Sequence, residues 1–490
     1  MGFQLPNTDL LPRSTLIIGD SVEEAGSGDL HAHIYPGTGT VTREIRMGSP
    51  ADVDRAVEAA QAAFPAWRAM TGDKRRNLMF KLADLLEAES QNMAPILIAE
   101  NGATAMGAGY MGYDGANKFR YYGGWADKLE GRTVPTWGGP ALDYVSYEPY
   151  GVVGVIVPWN GPIFAATMVL APALAAGNCI VIKSPDLAPY SVMRLVELIR
   201  QAGFPPGVVN LVTGGADVGE AMVAHPGIGK IEFIGSGATA KKILANAAQS
   251  LKPVGLELGG KSAVIVFADA NLEDAVKRGM SGGVSANGQG CVNGTRLLVE
   301  RSIYEPYLQM LAAMAGHVTV GDPFVSTNML GPVISEAALA RISGMVDHGV
   351  AEGGRVIAGG GRLGGDHANG YFLPLTVLVD VAPNSEIARN EVFGPVLVVT
   401  PFDSEEEAVA LANDSDYGLG AYIHTTNLAR AHRVAGQMMA GQVQVNGSGE
   451  AMTPCVPFGG MKHSGHGRLG GIEGLREFQQ VRNVWVNLQG

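Results

Sequence analysis

The stretch GVVGVIVPWNGPIFAATMVLAPALAAGNCIVIKSPD, residues 151–186, decides how this chain folds. VVGVIV (152–157) and CIVI (179–182) are unbroken Val/Ile runs of strand length, and the apolar segment 163–176 between them has the length of a helix. Strands that are apolar on both faces and alternate with helices predict a parallel sheet covered on both sides. The rhythm continues with a helix over 191–202, then VVNLV (208–212) and IEFI (231–234), an architecture of nucleotide-binding type. A second α/β region starts near Gly259, after the Gly-Gly pair 259–260, with AVIVF (263–267), RLLVE (296–300) and VLVV (396–399). Two domains with a cleft between them are expected.

Upstream, short β-like pieces within 16–46 read as a small hairpin arm leading into a first helix, with Ser49 as its cap and Pro50 at its first turn. Val53, Ala56, Val57, Ala60 and Phe64 recur at helical spacing, as do Leu78, Leu82, Leu85 and Leu86 in the next segment. A helix within 102–124 carries Tyr110, Tyr113, Phe119 and Tyr122, which suit a cavity wall but at this spacing are more often core. LEGRTVPTWGGPALDYVSYEPY (129–150) alternates and holds prolines, which predicts an extended assembly arm rather than part of a packed sheet.

A chain of 490 residues has room for about three units of roughly 150 residues. Its 46% hydrophobic and 17% charged residues are a globular balance, and 68 glycines, above the usual share of about 7%, imply many tight turns. A formal charge of −12 without basic blocks argues against nucleic acid as a partner. Three cysteines are too few for a disulfide framework and point to a reducing, cytoplasmic setting. The N-terminus MGFQLPNTDLLPRS lacks the pattern of a secretory signal. The longest apolar run, 163–177, is broken by Thr167 and Pro172 and is shorter than the about 20 residues that span a bilayer, so no membrane is expected.

Four places invite chemistry. In SANGQGCVNGTR (285–296), Cys291 sits among small residues whose backbone N–H groups are able to favour a thiolate, but a free thiol in a mobile loop explains the stretch equally well. Gly235 and Ser236 follow a strand and precede a helix, a place for phosphate, with Ala240 where the dinucleotide fingerprint ends in glycine. Lys183 and Asp186 follow another strand end and suit a ribose and a phosphate, although such a pair is usually a solvated loop. Glu257, between leucines, suits a general base with a raised pKa, and Asn160 an oxyanion donor; alone they read more simply as a salt-bridged glutamate and a turn-former.

Together these pieces have an order. PWN (158–160), IK-S-P-D (182–186), IGS (234–236), ELGGKS (257–262), GQGC (288–291), EVFGPV (391–396) and PFGGMKHSGHG (457–467) make the chain resemble the NAD(P)-dependent aldehyde dehydrogenase superfamily over nearly its whole length. The resemblance implies a Rossmann-like cofactor domain (1–125 and 150–258), an α/β catalytic domain (259–445), a small β oligomerisation arm (126–149 and 474–490) and a segment returning to the cleft (446–473). It implies that Cys291 attacks an aldehyde, that Asn160 holds the oxyanion and that Glu257 activates the water that hydrolyses the thioester. Lys183, Asp186, Gly235, Ser236, Trp159, Glu391 and Phe393 would bind the cofactor. Asp186, where many NAD-preferring members have Glu, favours NAD, with NADP an alternative; no metal is expected.

The departures matter. Members of the superfamily commonly place a lysine nine residues after the oxyanion Asn and a glutamate just after the GR of the last motif, as a proton path; here Val169 and Leu469 stand there, so the proton on Glu257 is expected to leave by another route. Gly161 replaces a common aromatic, and with Phe164, Met168, Ser285, Gly290 and Val292 it suggests a roomy, mostly apolar tunnel for an apolar or aromatic aldehyde, with Cys455 near its mouth. A CoA-acylating enzyme or a catalytically silent relative are the alternatives, both disfavoured by Glu257 and Cys291 being present together. The arm and the tail EFQQVRNVWVNLQG predict a dimer or tetramer.

Overall fold

The structure is a computed structural model that describes residues 3, 5–137, 140–449 and 452–489. Its first sheet has eight strands, in the order Ser21–Glu23, Leu16–Ile18, Val209–Thr213, Cys179–Ser184, Val152–Ile156, Lys230–Ile234, Val254–Glu257 and Gly465–His466. The five strands from Val209–Thr213 to Val254–Glu257 are mutually parallel. Val152–Ile156, Cys179–Ser184 and Val209–Thr213 are buried throughout, as their unbroken Val/Ile composition requires. Helix Pro162–Ala175 follows Val152–Ile156 and is buried at every position but Phe164, which faces the cleft.

The strand order reverses on either side of Val152–Ile156, with Cys179–Ser184 to one flank and Lys230–Ile234 to the other. At such a switch point the loops leaving the strand ends diverge and open a crevice. Those loops are PWN and IGS. The chain passes from this sheet to a second one between Glu257 and Ser262. The second sheet has seven strands, of which Thr376–Val379, Val396–Phe402, Gly294–Glu300, Ser262–Val266, Gly420–His424 and Gln442–Val445 run parallel, while Arg355–Ala358 is antiparallel at one edge.

Three expectations are revised. The arm is not a lone extended strand: Ala141–Pro149 is the centre of a three-stranded antiparallel sheet, between Arg132–Val134 and Gln479–Asn487. Its prolines lie at strand ends, where no ladder hydrogen bond is lost. The hairpin expected in HIYPGTGTVTREIRMGS is Leu30–Tyr35 with Thr40–Arg46, but the earlier piece Leu16–Ile18 pairs with Val209–Thr213 and belongs to the first sheet. Of the four aromatics in helix Ala105–Gly123, Phe119 and Tyr122 are buried while Tyr110 and Tyr113 are exposed, and only Tyr122 borders a cavity. The first helix is Pro50–Ala69; the Ser49 amide donates to the Asp52 carboxylate at 3.0 Å.

Candidate active site

A cavity of about 330 Å³ opens at the switch point. It gathers Trp159, Asn160, Gly161, Phe164, Met168, Gly235, Ser236, Glu257, Cys291, Glu391 and Phe393, residues scattered over more than two hundred positions of the chain. Trp159, Asn160, Gly235, Ser236 and Glu257 arrive on strand ends or the loops that follow them, Phe164 and Met168 on helix Pro162–Ala175, and Cys291, Glu391 and Phe393 on loops that lead into strands of the second sheet.

The Cys291 loop is anchored, not mobile. Asn287 donates to the carbonyls of Gly102 and Pro332 and accepts from the Gly331 amide, and the Gln289 side chain accepts from Ile334 N at 3.0 Å. Ala286 and Asn287 take left-handed backbone angles, and Gly288 (φ 73) must be glycine because a Cβ there would collide with the Gly394 carbonyl. Asn160 donates its side-chain amide to Gln289 O at 2.8 Å, which fixes the amide beside Cys291 and leaves its second N–H for an oxyanion. Behind it, Asn101 donates to the Trp159 carbonyl at 3.1 Å.

The loop does not hold Cys291 as a thiolate. Burial, with the negative fields of Glu257 and Glu391 added, pushes the thiol up to about 12 and outweighs the nearby amides. A base must take its proton. Glu257, at the end of Val254–Glu257, is raised well above the ordinary carboxylate value by burial first and by Glu232 next, and among the described residues neither of its oxygens has a hydrogen-bond partner. Glu391 is raised to about 7 by burial and accepts from the Gly260 amide at 3.0 Å. Phe393 holds a positive φ of 51°, a sparsely populated conformation for a side chain of that size, and stands edge-on to Trp159 with ring centres 5.5 Å apart.

The other expected residues are distributed differently. Lys183 is buried beneath the strand ends, its ammonium donating to Ser184 O at 3.3 Å, and Asp186 accepts from the Leu187 amide; both lie beside the cavity rather than in its wall. Ser285, Val292 and Cys455 line neither this cavity nor the narrow one, about 20 Å³, that adjoins it at Phe164, Met168 and Phe458. Val292 packs against the first core, Ser285 ends helix Leu272–Val284, and Cys455 is exposed in a turn whose neighbours Thr453, Pro454 and Val456 take the wall instead. Glu450 and Ala451 of that expected tunnel mouth lie outside the described residues. The narrow cavity is also walled by Lys118, which is buried, ion-paired to Asp114 and 3.8 Å above the Phe164 ring, so the tunnel is less uniformly apolar and less roomy than expected. Arg341 in the main cavity, like Asn101 behind it, carries no local sequence signal, while Phe458 in the same wall belongs to PFGGMKHSGHG.

The sequence profile of the aldehyde dehydrogenase family matches residues 22–484. The chain belongs to the aldehyde dehydrogenase family. It is 39% identical over 489 residues to human retinal dehydrogenase 2, covering 99% of this chain and 93% of that protein. Betaine aldehyde dehydrogenase from Staphylococcus aureus, solved with NAD+, superposes with a TM-score of 0.96 at 33% identity, over 99% of this chain and 97% of its own. An aldehyde dehydrogenase from Bacillus cereus in complex with NAD+ gives 0.95 at 36% identity, with both chains fully covered at 100%. The protein is therefore an oxidoreductase acting on aldehydes.

Proposed function

We propose that this aldehyde dehydrogenase oxidises an apolar or aromatic aldehyde to its carboxylic acid with NAD, through a thioester on Cys291. The observation that carries the reading is the meeting of Cys291, Asn160 and Glu257 in one cleft with Trp159, Ser236, Glu391 and Phe393. The cleft fits a dinucleotide. Helix Gly237–Ala247 begins at it, a Cβ on Gly237 would meet open space, and the buried Lys183 ammonium has only a long bond to its neighbour's carbonyl. Trp159, Phe393 and Glu391 suit a nicotinamide and its ribose, Gly235 and Ser236 the pyrophosphate, and Lys183 with Asp186 the adenosine ribose; the Asp186 carboxylate would repel a 2′-phosphate, which favours NAD over NADP.

Glu257 takes the Cys291 proton, and the sulfur adds to the aldehyde carbon. The second N–H of Asn160 and the Cys291 amide hold the resulting oxyanion. Bound NAD supplies the acceptor for the hydride that leaves this carbon. Once Glu257 has lost the thiol proton, its carboxylate, with its raised pKa, removes another from water; the water oxygen adds to the thioester carbon and the C–S bond breaks, releasing the acid. The sulfur takes the proton back from Glu257 to restore the Cys291 thiol. A CoA-acylating reaction would make Glu257 dispensable. We assign residues 1–125 and 150–258 to cofactor binding, 259–445 to catalysis, 126–149 and 474–490 to assembly as a dimer or tetramer, and 446–473 to the return into the cleft. Among the described residues no helix is long and apolar enough to cross a membrane, and three free cysteines support a cytoplasmic setting.

The test is NADH formation from a panel of aliphatic and aromatic aldehydes, with and without CoA and with NADP in place of NAD. Wild type turns over without CoA and prefers NAD, and Cys291→Ala is inactive. Activity surviving in Cys291→Ala removes the covalent mechanism; dependence on CoA removes hydrolysis by Glu257; a wide preference for NADP reverses the cofactor assignment.

A further inference from the structure

Acylation of Cys291, on the reading above, leaves the thiol proton on Glu257 at every turnover, and a buried base must lose it before it activates water. Val169 and Leu469 close the direction in which other members of the family have charges: both are buried in the first hydrophobic core. A second carboxylate stands on another side. Lys230–Ile234 and Val254–Glu257 are parallel neighbours with Glu232 opposite Gly255 and Ile234 opposite Glu257. Glu232 and Glu257 are thus one step of the side-chain alternation apart on the same face of the sheet. The Glu232 carboxylate lies over Gly255, where any Cβ would collide with it.

Glu232 shares its salt-bridge partner with a second carboxylate. Lys230 Nζ donates to Glu477 Oε1 at 2.6 Å but stands 3.5 Å from Glu232 Oε2, and among the described residues that oxygen has no hydrogen-bond partner. One cation serves two carboxylates and already has a close partner in Glu477. Leaving Glu232 in this state costs stability, since a buried polar atom without a partner is expensive. Glu477 is 21% exposed and lines an open groove of about 560 Å³ with Gly467, Arg468, Glu473 and Arg476. The other charged or titratable neighbours are spoken for: Arg468 Nη1 donates to the Gly460 and Gly467 carbonyls, His466 Nε2 contacts Val254 O at 3.0 Å, and the Tyr150 ring faces Lys230.

We propose that Glu232 receives the proton that Cys291 leaves on Glu257 and passes it, through Lys230, to Glu477 at the surface. Glu257 loses the proton that it took from Cys291. Lys230 gives one proton to Glu477 as it takes one from Glu232, keeping its charge, and Glu477 releases the proton into the groove. No net charge stays in the protein. Burial raises Glu232 to about 7 against the pull of Lys230, which lets it both accept and release a proton near neutrality. Glu232 is a positioning and relay residue: it acts on the reaction only through Glu257.

The experiment uses p-nitrophenyl acetate without NAD, because an activated ester acylates a thiolate directly and releases p-nitrophenolate. Wild type should give a burst followed by a steady rate set by hydrolysis. Glu232→Gln should keep the burst, slow the steady phase by about tenfold or more, and raise its solvent deuterium isotope effect. Glu232→Ala should recover with added formate, a small proton carrier. Glu477→Gln, altered near the surface where folding is less at risk, should slow the steady phase while sparing the burst. Circular dichroism and melting curves check the fold of each variant. Steady phases equal to wild type in the Glu232 and Glu477 variants overturn the relay and leave the covalent reading standing. Loss of burst and steady phase together in folded Glu232 variants, without formate rescue, makes the residue structural and overturns the relay too. A burst that survives in Cys291→Ala removes the covalent reading itself.

Discussion

At the scale of single residues, Cys291 and Glu257 oppose each other. The thiol is pushed up to about 12 by burial and then by the carboxylates of Glu257 and Glu391, so its thiolate fraction near neutrality is small. Neutralising Glu257 removes part of that field. Glu257→Gln should therefore speed alkylation of Cys291 by iodoacetamide severalfold at fixed pH in the absence of cofactor, while hydrolysis of the thioester falls by about 10²–10⁴. The two rates, measured on one variant, must move in opposite directions; a slower alkylation would mean that Glu257 acts as base even in the resting protein. Asn160 was legible as a donor from its place in PWN, but Asn101, which donates to the Trp159 carbonyl from a helix 58 positions upstream, was not. Asn160→Ala should lower kcat by about 10²–10³. Asn101→Ala should lower it less, by roughly tenfold, because the oxyanion donor is then present but loosely aimed.

At the scale of elements, the parallel strands were legible because they are buried on both faces and leave a continuous Val/Ile signature, visible in VVGVIV and CIVI. The small sheet was not. Its central strand Ala141–Pro149 pairs with Gln479–Asn487 from the far end of the chain, and pairing at that separation leaves no local pattern. The prolines that spoke against a packed sheet bound its strands instead. Gln479–Asn487 is an edge strand with Val481 68% and Trp485 56% exposed, and an apolar edge of this kind invites another chain. The double variant Val481→Glu/Trp485→Glu should reduce the mass measured by light scattering to that of a smaller species, with the secondary structure retained. An unchanged mass would move the assembly surface elsewhere.

At the scale of the whole molecule, the two sheets hold several carboxylates away from water, and this sets how stability depends on pH. Glu100 is a case outside the cleft: it is fully buried at the end of helix Gly72–Asn101, where one oxygen accepts from the Ser191 amide at 2.9 Å and the other has no hydrogen-bond partner among the described residues. Burial raises it to about 7 against those hydrogen bonds. Nothing in the sequence IAEN marks it as buried, since its surroundings come from helix Tyr190–Ala202, about ninety residues on. The folded protein holds this proton up to pH about 7 while the unfolded chain gives it up near the ordinary value of 4.5. Between those two values the folded state binds more protons, so the contribution of Glu100 is greatest below pH 4.5 and is lost as the pH rises toward 7. The loss amounts to about 3 kcal/mol at about 1.4 kcal/mol for each pH unit. Glu100→Gln keeps the shape and the acceptor for Ser191 but carries no charge to bury. Urea unfolding should therefore find the variant more stable than wild type at pH 8 and the difference shrinking toward pH 5. A difference that is the same at both pH values would show that Glu100 does not titrate in this window, and that its second oxygen is satisfied in solution.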